Sequence, residues 1–250
     1  MVSVGHTDTS QLAGGRARAA AALLTWWRDA GADWPVAVAP QPWTTRRSPE
    51  VRPAPTAPAP SRVGPAPHVA PLRFAALADL VAHVAATSPG APLADGNPDS
   101  GLMILGEAPS AEDLRTGRPF SGPAGALLDR MLAAIGLDRT HAYVTLLAPR
   151  LGVPGPPPVE AVAADLPLTL EHIRLVRPRR LLLLGNIPTQ ALTGEVTPIS
   201  RMRGRFLDIR PAGAEVRALP TFNPAYLLRQ PAAKRDAWHD LLLLKRELRA

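Results

Sequence analysis

Two short apolar runs, Leu102–Leu105 and Leu181–Leu184, each stop at a glycine, Gly106 and Gly185, and they constrain the fold more than any other feature. Neither run alternates with polar residues. A strand of that kind is covered on both faces, which is the condition of a parallel strand between helices. The rest of the chain supplies those helices. Pro123–Ile135 carries Leu127, Leu128, Met131, Leu132 and Ile135 on one face and stops at Gly136. Further helices are expected at 72–87, closed by Ser88-Pro89-Gly90, at 159–176, at 187–192 and, amphipathic, at 232–248. Further strands are expected at 142–147, 205–209 and 215–219. Strands alternating with covering helices specify an α/β fold, a three-layer α/β/α sandwich with a mostly parallel central sheet. Ligands bind such sheets beyond the carboxyl ends of the strands. Three segments fall there: Gly106-Glu107-Ala108-Pro109-Ser110, the loop from Ala148, and Phe222-Asn223-Pro224-Ala225-Tyr226.

The domain so defined spans 72–250. Residues 1–39 hold one expected helix at 10–30, capped by Ser10, with Leu23, Leu24, Trp26 and Trp27 as its apolar patch and Gly31 as its stop. Between them, 40–71 contains ten prolines in 32 residues and reads as an extended linker, because each proline removes an amide and no apolar face can form. The longest leucine runs are four residues, far short of the roughly 20 a membrane helix needs, and the first ten residues lack a charged and apolar leader. A soluble, cytoplasmic, monomeric protein is the expectation.

Charge is unevenly distributed. Of the net +7, residues 171–250 carry +8 and the remainder −1, almost all of the positive charge as arginine. Arginine excess suits a phosphate-bearing partner, although a biased composition produces it too. The chain has no cysteine, which excludes disulfides, thiolate zinc sites and a cysteine-held iron–sulfur cluster. His83, His141, His172 and His239 lack partners at metal-ligand spacing, so no metal site is expected.

The turn at 106–110 leaves a buried strand with Gly106 and Pro109 fixing an irregular backbone, so successive amides can point at one acceptor. An ordinary strand-to-loop turn has the same composition. The context is more specific. GEAPS is followed in order by RPFSGPAGALLDRMLAAIGLDR, AYVT, HIRLVRPRRLLLLG, RMRGRF, TFNPAYLLR and KRDAW. This series of blocks resembles the family-4 uracil-DNA glycosylases over 72–249, and the early WWRDAG helix is similar as well. The resemblance implies base excision repair: hydrolysis of the N-glycosidic bond of uracil, or a related damaged base, flipped out of DNA. Phe120 matches the phenylalanine that stacks on uracil; its alternative is a core phenylalanine. Glu107 matches the motif glutamate at the water and sugar side of the pocket, the alternative being a surface carboxylate. Gly106, Ala108, Pro109 and Ser110 complete that turn as substrate-binding positions. Arg201, Arg203 and Arg205 match an arginine block placed to grip successive phosphates, with a solvated loop as the alternative. Tyr226, Leu227, Leu228 and Arg229 follow the last turn, where leucines could wedge into the gap left by a flipped base or simply cap the core.

The departures carry as much information. Where the family has an asparagine that reads the uracil edge, this chain has Leu146, which donates nothing. Where the family has a histidine that donates to the departing uracil, it has Asn223, a neutral donor whose use could cost on the order of 10²–10³ in rate. The resemblance would also bring a 4Fe–4S cluster held by four cysteines, two ahead of the first strand near 85–88, one in the loop Ala148-Pro149-Arg150 and one near Asp165. All four are missing, and Asp165 and His172 read as solvated helix positions. The expectation is a uracil-DNA glycosylase-type hydrolase of reduced or altered activity, without cofactor, using Glu107, Phe120 and Asn223. The alternatives are a non-catalytic DNA-binding or repair-partner module, and a hydrolase for another deaminated or alkylated base. The purified protein is expected to be colourless, which an absorbance spectrum and an iron assay check.

Overall fold

The structure, a computed structural model, describes residues 72–213 and 215–249. The helix expected at 10–30 and the linker at 40–71 lie outside those residues. The first elements are α1 (Leu77–Thr87), the short strand β1 (Ala94–Gly96), β2 (Leu102–Gly106), α2 (Ala111–Thr116), α3 (Pro123–Ile135) and β3 (Tyr143–Leu146). Then come α4 (Val159–Val176), β4 (Arg180–Leu184), α5 (Asn186–Thr193), α6 (Ile199–Met202) and β5 (Leu207–Ile209). The chain closes with β6 (Val216–Thr221), α7 (Pro224–Arg229) and α8 (Lys234–Glu247). The six strands form one sheet in the order β1-β3-β2-β4-β6-β5. β3, β2, β4 and β6 run parallel, and the two edges, β1 and β5, are antiparallel to their neighbours. No helix among the described residues is long and apolar enough to cross a membrane.

The apolar runs behave as their lack of alternation requires. Leu102 and Ile104 of β2, with Leu182 and Leu184 of β4, pack under Leu127, Leu128 and Met131 of α3 and Leu241 and Leu244 of α8. Met103 and Leu105, with Leu181 and Leu183, face the opposite layer, where α4 contributes Ile173 and α5 contributes Ile187 and Ala191. Every second residue of a strand points to the same side, so a continuous apolar run is the pattern a doubly covered sheet demands. A third cluster joins Leu80 and Val84 of α1 to Leu93 and to Leu168 of α4. Helices α3 and α4 keep the bounds that periodicity gives them. α3 begins at Pro123, which suits a first helical position, and ends on Gly136 at φ 86°. The expected strand at 205–209 shortens to Leu207–Ile209, because Arg203–Arg205 form an irregular turn through Gly204 at φ 79°. β1, α2, α6 and α7 were not expected; none exceeds six residues, too short to show a period.

A buried ion pair ties the end of the sheet to α8. Asp240, wholly buried, accepts from Thr221 Oγ1 at 2.7 Å and from Arg203 Nε and Nη2, each at 2.9 Å. Arg203 also donates to the Asp236 carbonyl and lies 5.4 Å from the centre of the Phe222 ring. Burial pushes the Asp240 carboxyl above the usual carboxylate range despite the bonds from Thr221 and Arg203. Arg203→Ala leaves that carboxylate unpaired and is expected to lower unfolding free energy by about 3–5 kcal/mol near neutrality. Raising the folded-state value further means the folded protein holds a proton that the unfolded chain has already lost. Stability then falls as pH rises. The deficit should accordingly be larger at pH 8 than at pH 5 in urea titrations, while Arg201→Ala stays within about 0.5 kcal/mol of the parent.

Candidate active site

β2 and β4 are neighbours, yet the helices that follow them cover opposite faces of the sheet: α3 one, α5 the other. A crevice opens where such connections diverge. Three strand ends meet in it, with Glu107 following β2, Gly185 and Asn186 following β4, and Asn223 two residues beyond β6. Gly185 makes the meeting possible. Its φ is 104°, and a Cβ there would collide with Glu107 Oε1 and lie 3.3 Å from Asn223 Cβ. Only glycine tolerates both conditions.

Each group at the meeting point is fixed by its neighbours. Glu107 is largely withdrawn from water, which pushes its carboxyl above the ordinary range; a hydrogen bond from the Ile187 amide and the charge of Arg229 oppose that shift. Asn223 caps α7, its Oδ1 accepting from the Ala225 amide at 2.9 Å. The acceptor end being used, Nδ2 is the end left to meet a ligand. Ser110 caps α2 in a reciprocal box, its Oγ accepting from the Asp113 amide while Asp113 Oδ2 accepts from the Ser110 amide. The other oxygen of Asp113 accepts from the Ser121 amide at 2.6 Å, binding this turn to the loop that carries Phe120.

Phe120 itself is strained. Its φ of 55° lies in the left-handed region, which bulky residues rarely occupy. Arg139 holds it there, donating through Nη2 to the Phe120 carbonyl at 2.6 Å and through Nη1 to the Pro119 carbonyl at 3.1 Å. Asp95 and Asp129 fix that guanidinium in turn, at 2.7 and 2.8 Å. Gly125, where any Cβ would overlap the Phe120 carbonyl, lets α3 approach the loop. The Phe120 ring lies across Gly106, so close that a Cβ there would be 2.6 Å from the ring edge.

These elements enclose a cavity of about 630 Å³. Glu107, Pro109, Phe120, Phe222 and Asn223 line it, with Ala108 and Ser110 on the same wall and Tyr226 and Arg229 at the outer side. Other expected positions lie elsewhere. Leu146 is 2% exposed, belongs to the core cluster beneath Phe120 and is not on the wall. Gly106 is buried behind the same ring, so both act as support for Phe120 in place of direct contact. Leu227 is fully buried in the core and cannot wedge into DNA, whereas Tyr226 and Leu228 are exposed. The three arginines diverge as well. Arg201 is exposed beside Ser200 of the cavity wall, Arg203 is turned inward to Asp240, and Arg205 is exposed in a separate hollow along β5. A row of three phosphate contacts is not what the backbone presents.

Two of the four positions at which the resemblance puts cluster ligands, the loop at Arg150 and Asp165, hold an ion pair. Arg150 donates through Nε to Asp165 Oδ1 at 2.6 Å and through its amide to Oδ2 at 3.2 Å. Asp165 and His172, expected to be solvated, are buried; the His172 ring meets the Tyr143 hydroxyl at 3.0 Å, and burial pushes it down to about 4. Among the described residues no group of three or more His, Cys, Asp or Glu side chains could hold a metal ion. With no thiolate in the sequence, these residues do not fit a cysteine-ligated cluster.

Sequence reasoning missed Asn186 and Ser200 on the wall, and Arg139 behind Phe120. Asn186 had a signal, since it follows a glycine at the end of a buried strand. Arg139 had none, because its partners, two backbone carbonyls and the carboxylates of Asp95 and Asp129, come together only in the fold.

Fold and site together define a doubly wound α/β protein with its pocket at the switch point of the sheet. The family model of the uracil DNA glycosylase superfamily matches residues 93–242, and the chain belongs to that superfamily. It is 34% identical over 154 residues to a type-4 uracil-DNA glycosylase of Pyrobaculum aerophilum, covering 60% of this chain and 79% of the relative. It is 33% identical over 153 residues to the type-4 enzyme of Archaeoglobus fulgidus, covering 58% and 75% respectively. A type-4 uracil-DNA glycosylase of Thermotoga maritima is 34% identical over 140 residues, covering 54% and 70%.

The left-handed Phe120 carries strain of about 1–3 kcal/mol that Arg139 must offset. Arg139→Met should destabilise the fold by about 1–3 kcal/mol and speed hydrogen exchange in the 118–122 loop. Arg139→Lys should recover little, since one ammonium lacks the forked geometry that reaches two carbonyls and two carboxylates. Exchange rates measured residue by residue check this.

Proposed function

We propose that the protein hydrolyses the N-glycosidic bond of uracil in DNA, without a metal or cluster, at a rate below that of the relatives bearing a histidine at the last motif. The convergence of Glu107, Phe120 and Asn223 on one cavity at the strand ends carries the reading. It is supported by membership of the superfamily and by the likeness to type-4 uracil-DNA glycosylases. A flipped deoxyuridine stacks its base on Phe120. As the bond from C1′ to N1 breaks, its electron pair moves onto the uracil ring, and Asn223 Nδ2 donates to the carbonyl oxygen where that charge collects. Glu107, ionised, orients the water whose oxygen bonds to C1′ and receives its proton. Arg201, Arg229, Tyr226 and Leu228 are exposed; in this reading the two arginines meet phosphates, and Tyr226 and Leu228 meet the gap in the duplex.

The test is excision from single-stranded and duplex oligonucleotides bearing one uracil, read as strand scission after alkali. Glu107→Gln should lower kcat by about 10²-fold or more. In the parent, kcat/KM should fall as pH drops through the raised Glu107 value, placing the acid limb above the ordinary carboxylate range. Asn223→His should raise excision by on the order of 10²-fold. Tight retention of uracil DNA with no scission in either parent or Asn223→His would instead establish a DNA-binding module on this fold.

A further inference from the structure

We propose that Asn186 is the residue that reads the base: its amide donates to a carbonyl oxygen of the ring in the cavity and selects bases in which deamination has put an oxo group in place of an amino group. The inference rests on the glycosylase reading and supplies what that reading lacks, since Leu146 is sealed beneath Phe120 and reads nothing. Asn186 is the first residue of α5, directly after Gly185, and lines the cavity with Asn223 and Phe120. Its Oδ1 accepts from the Ile199 amide at 3.1 Å. That bond fixes the plane of the amide and occupies its acceptor, as the Ala225 amide does for Asn223. Two asparagines on either side of Gly185 therefore have their oxygens tied to backbone and their NH₂ groups left for a ligand.

Of the other polar groups lining the cavity, Ser110 Oγ and both Asp113 oxygens accept from backbone amides, Glu107 belongs to the side of the sugar and water, and Ser200, Tyr226 and Arg229 are exposed. A wall that offers donors is satisfied by carbonyl oxygens. It leaves its donors facing donors when the ring carries an exocyclic amine. Uracil differs from cytosine in that exocyclic group and in the proton on the adjacent ring nitrogen, as hypoxanthine does from adenine. The cavity, at about 630 Å³, has room for either ring size, so the selected class is the oxo base. The Ile199 bond has a second consequence. It joins the base-reading amide to the segment that carries Ser200 and the exposed Arg201.

The experiment uses the full chain and oligonucleotides carrying one 2′-fluoroarabino-deoxyuridine or its cytosine counterpart, whose glycosidic bonds resist cleavage. Asn186→Asp keeps an acceptor for the Ile199 amide but turns the donor end into an acceptor; Asn186→Ala removes both. The parent should bind the uracil probe more tightly than the cytosine probe. Asn186→Asp should cut that ratio about tenfold or more, and Asn186→Ala should cut it by less. Urea midpoints report folding, and if Asn186→Asp is unfolded the Asn186→Ala ratio decides. An unchanged ratio in a folded variant overturns the inference while leaving the glycosylase reading intact. A parent that neither prefers the uracil probe nor excises natural uracil overturns the glycosylase reading, and the inference with it.

Discussion

The site depends on a single close approach. Residue 185 lacks a side chain and has a left-handed backbone, so the ends of β2, β4 and β6 converge until Glu107 and Asn223 flank one atom's width of chain. Any Cβ at that point would displace the carboxylate or the amide. Parallel strands with both faces covered provide the rigidity this requires, because each strand end is fixed by packing in two layers. The catalytic candidates are therefore positioned by the core, and the loops mainly shape the walls.

Phe120 illustrates the opposite arrangement, a wall residue held by loops against its own preference. Its left-handed backbone is kept by a guanidinium that donates to two consecutive carbonyls and is anchored by two carboxylates. The ring then rests on Gly106 with Leu146 beside it. A flat aromatic surface results whose position is set from behind. That accounts for a leucine at position 146: it fills the space beside the ring and belongs to the core.

The sheet and its long helices were legible because burial on two faces leaves a mark in sequence. Leu102–Leu105 and Leu181–Leu184 could hardly be anything but inner strands, and α3 announced itself by its leucines and by the glycine after Ile135. The positions of Glu107, Phe120 and Asn223 followed from motif and strand-end rules together. What was illegible depends on direction. Alternation at Arg201, Arg203 and Arg205 suggested one face, yet the turn at Gly204 sends them three ways, and Arg203 is claimed by a buried carboxylate 37 residues later. Leu227 and Leu228 are adjacent and chemically identical, but the step of about 100° between successive helical residues puts one in the core and the other in solvent. Asp165 and His172 looked solvated because their partners, Arg150 and Tyr143, are remote in sequence.

The same remoteness explains how a scaffold without cysteine holds its outer layer. Along α4 the attachment is spread over three kinds of interaction. Leu168 packs with Leu80, Val84 and Leu93, which fastens α1 by apolar burial. Asp165 receives Arg150, fastening the loop after β3. Glu171, almost entirely buried, accepts from Arg174 Nε and Nη2 at 2.7 Å each, from the Phe74 amide at 2.7 Å and from Arg73 at 3.1 Å, fastening the segment ahead of α1. Arg174 beside it, with the Phe74 amide and Arg73, outweighs burial and brings that carboxyl down to about 2. Neither burial nor paired charge needs a thiol or an oxidant, and each contact can be altered without abolishing the rest. None of these three anchors lies on the cavity wall. In this chain the attachment of the outer layer and the lining of the pocket are therefore physically separate.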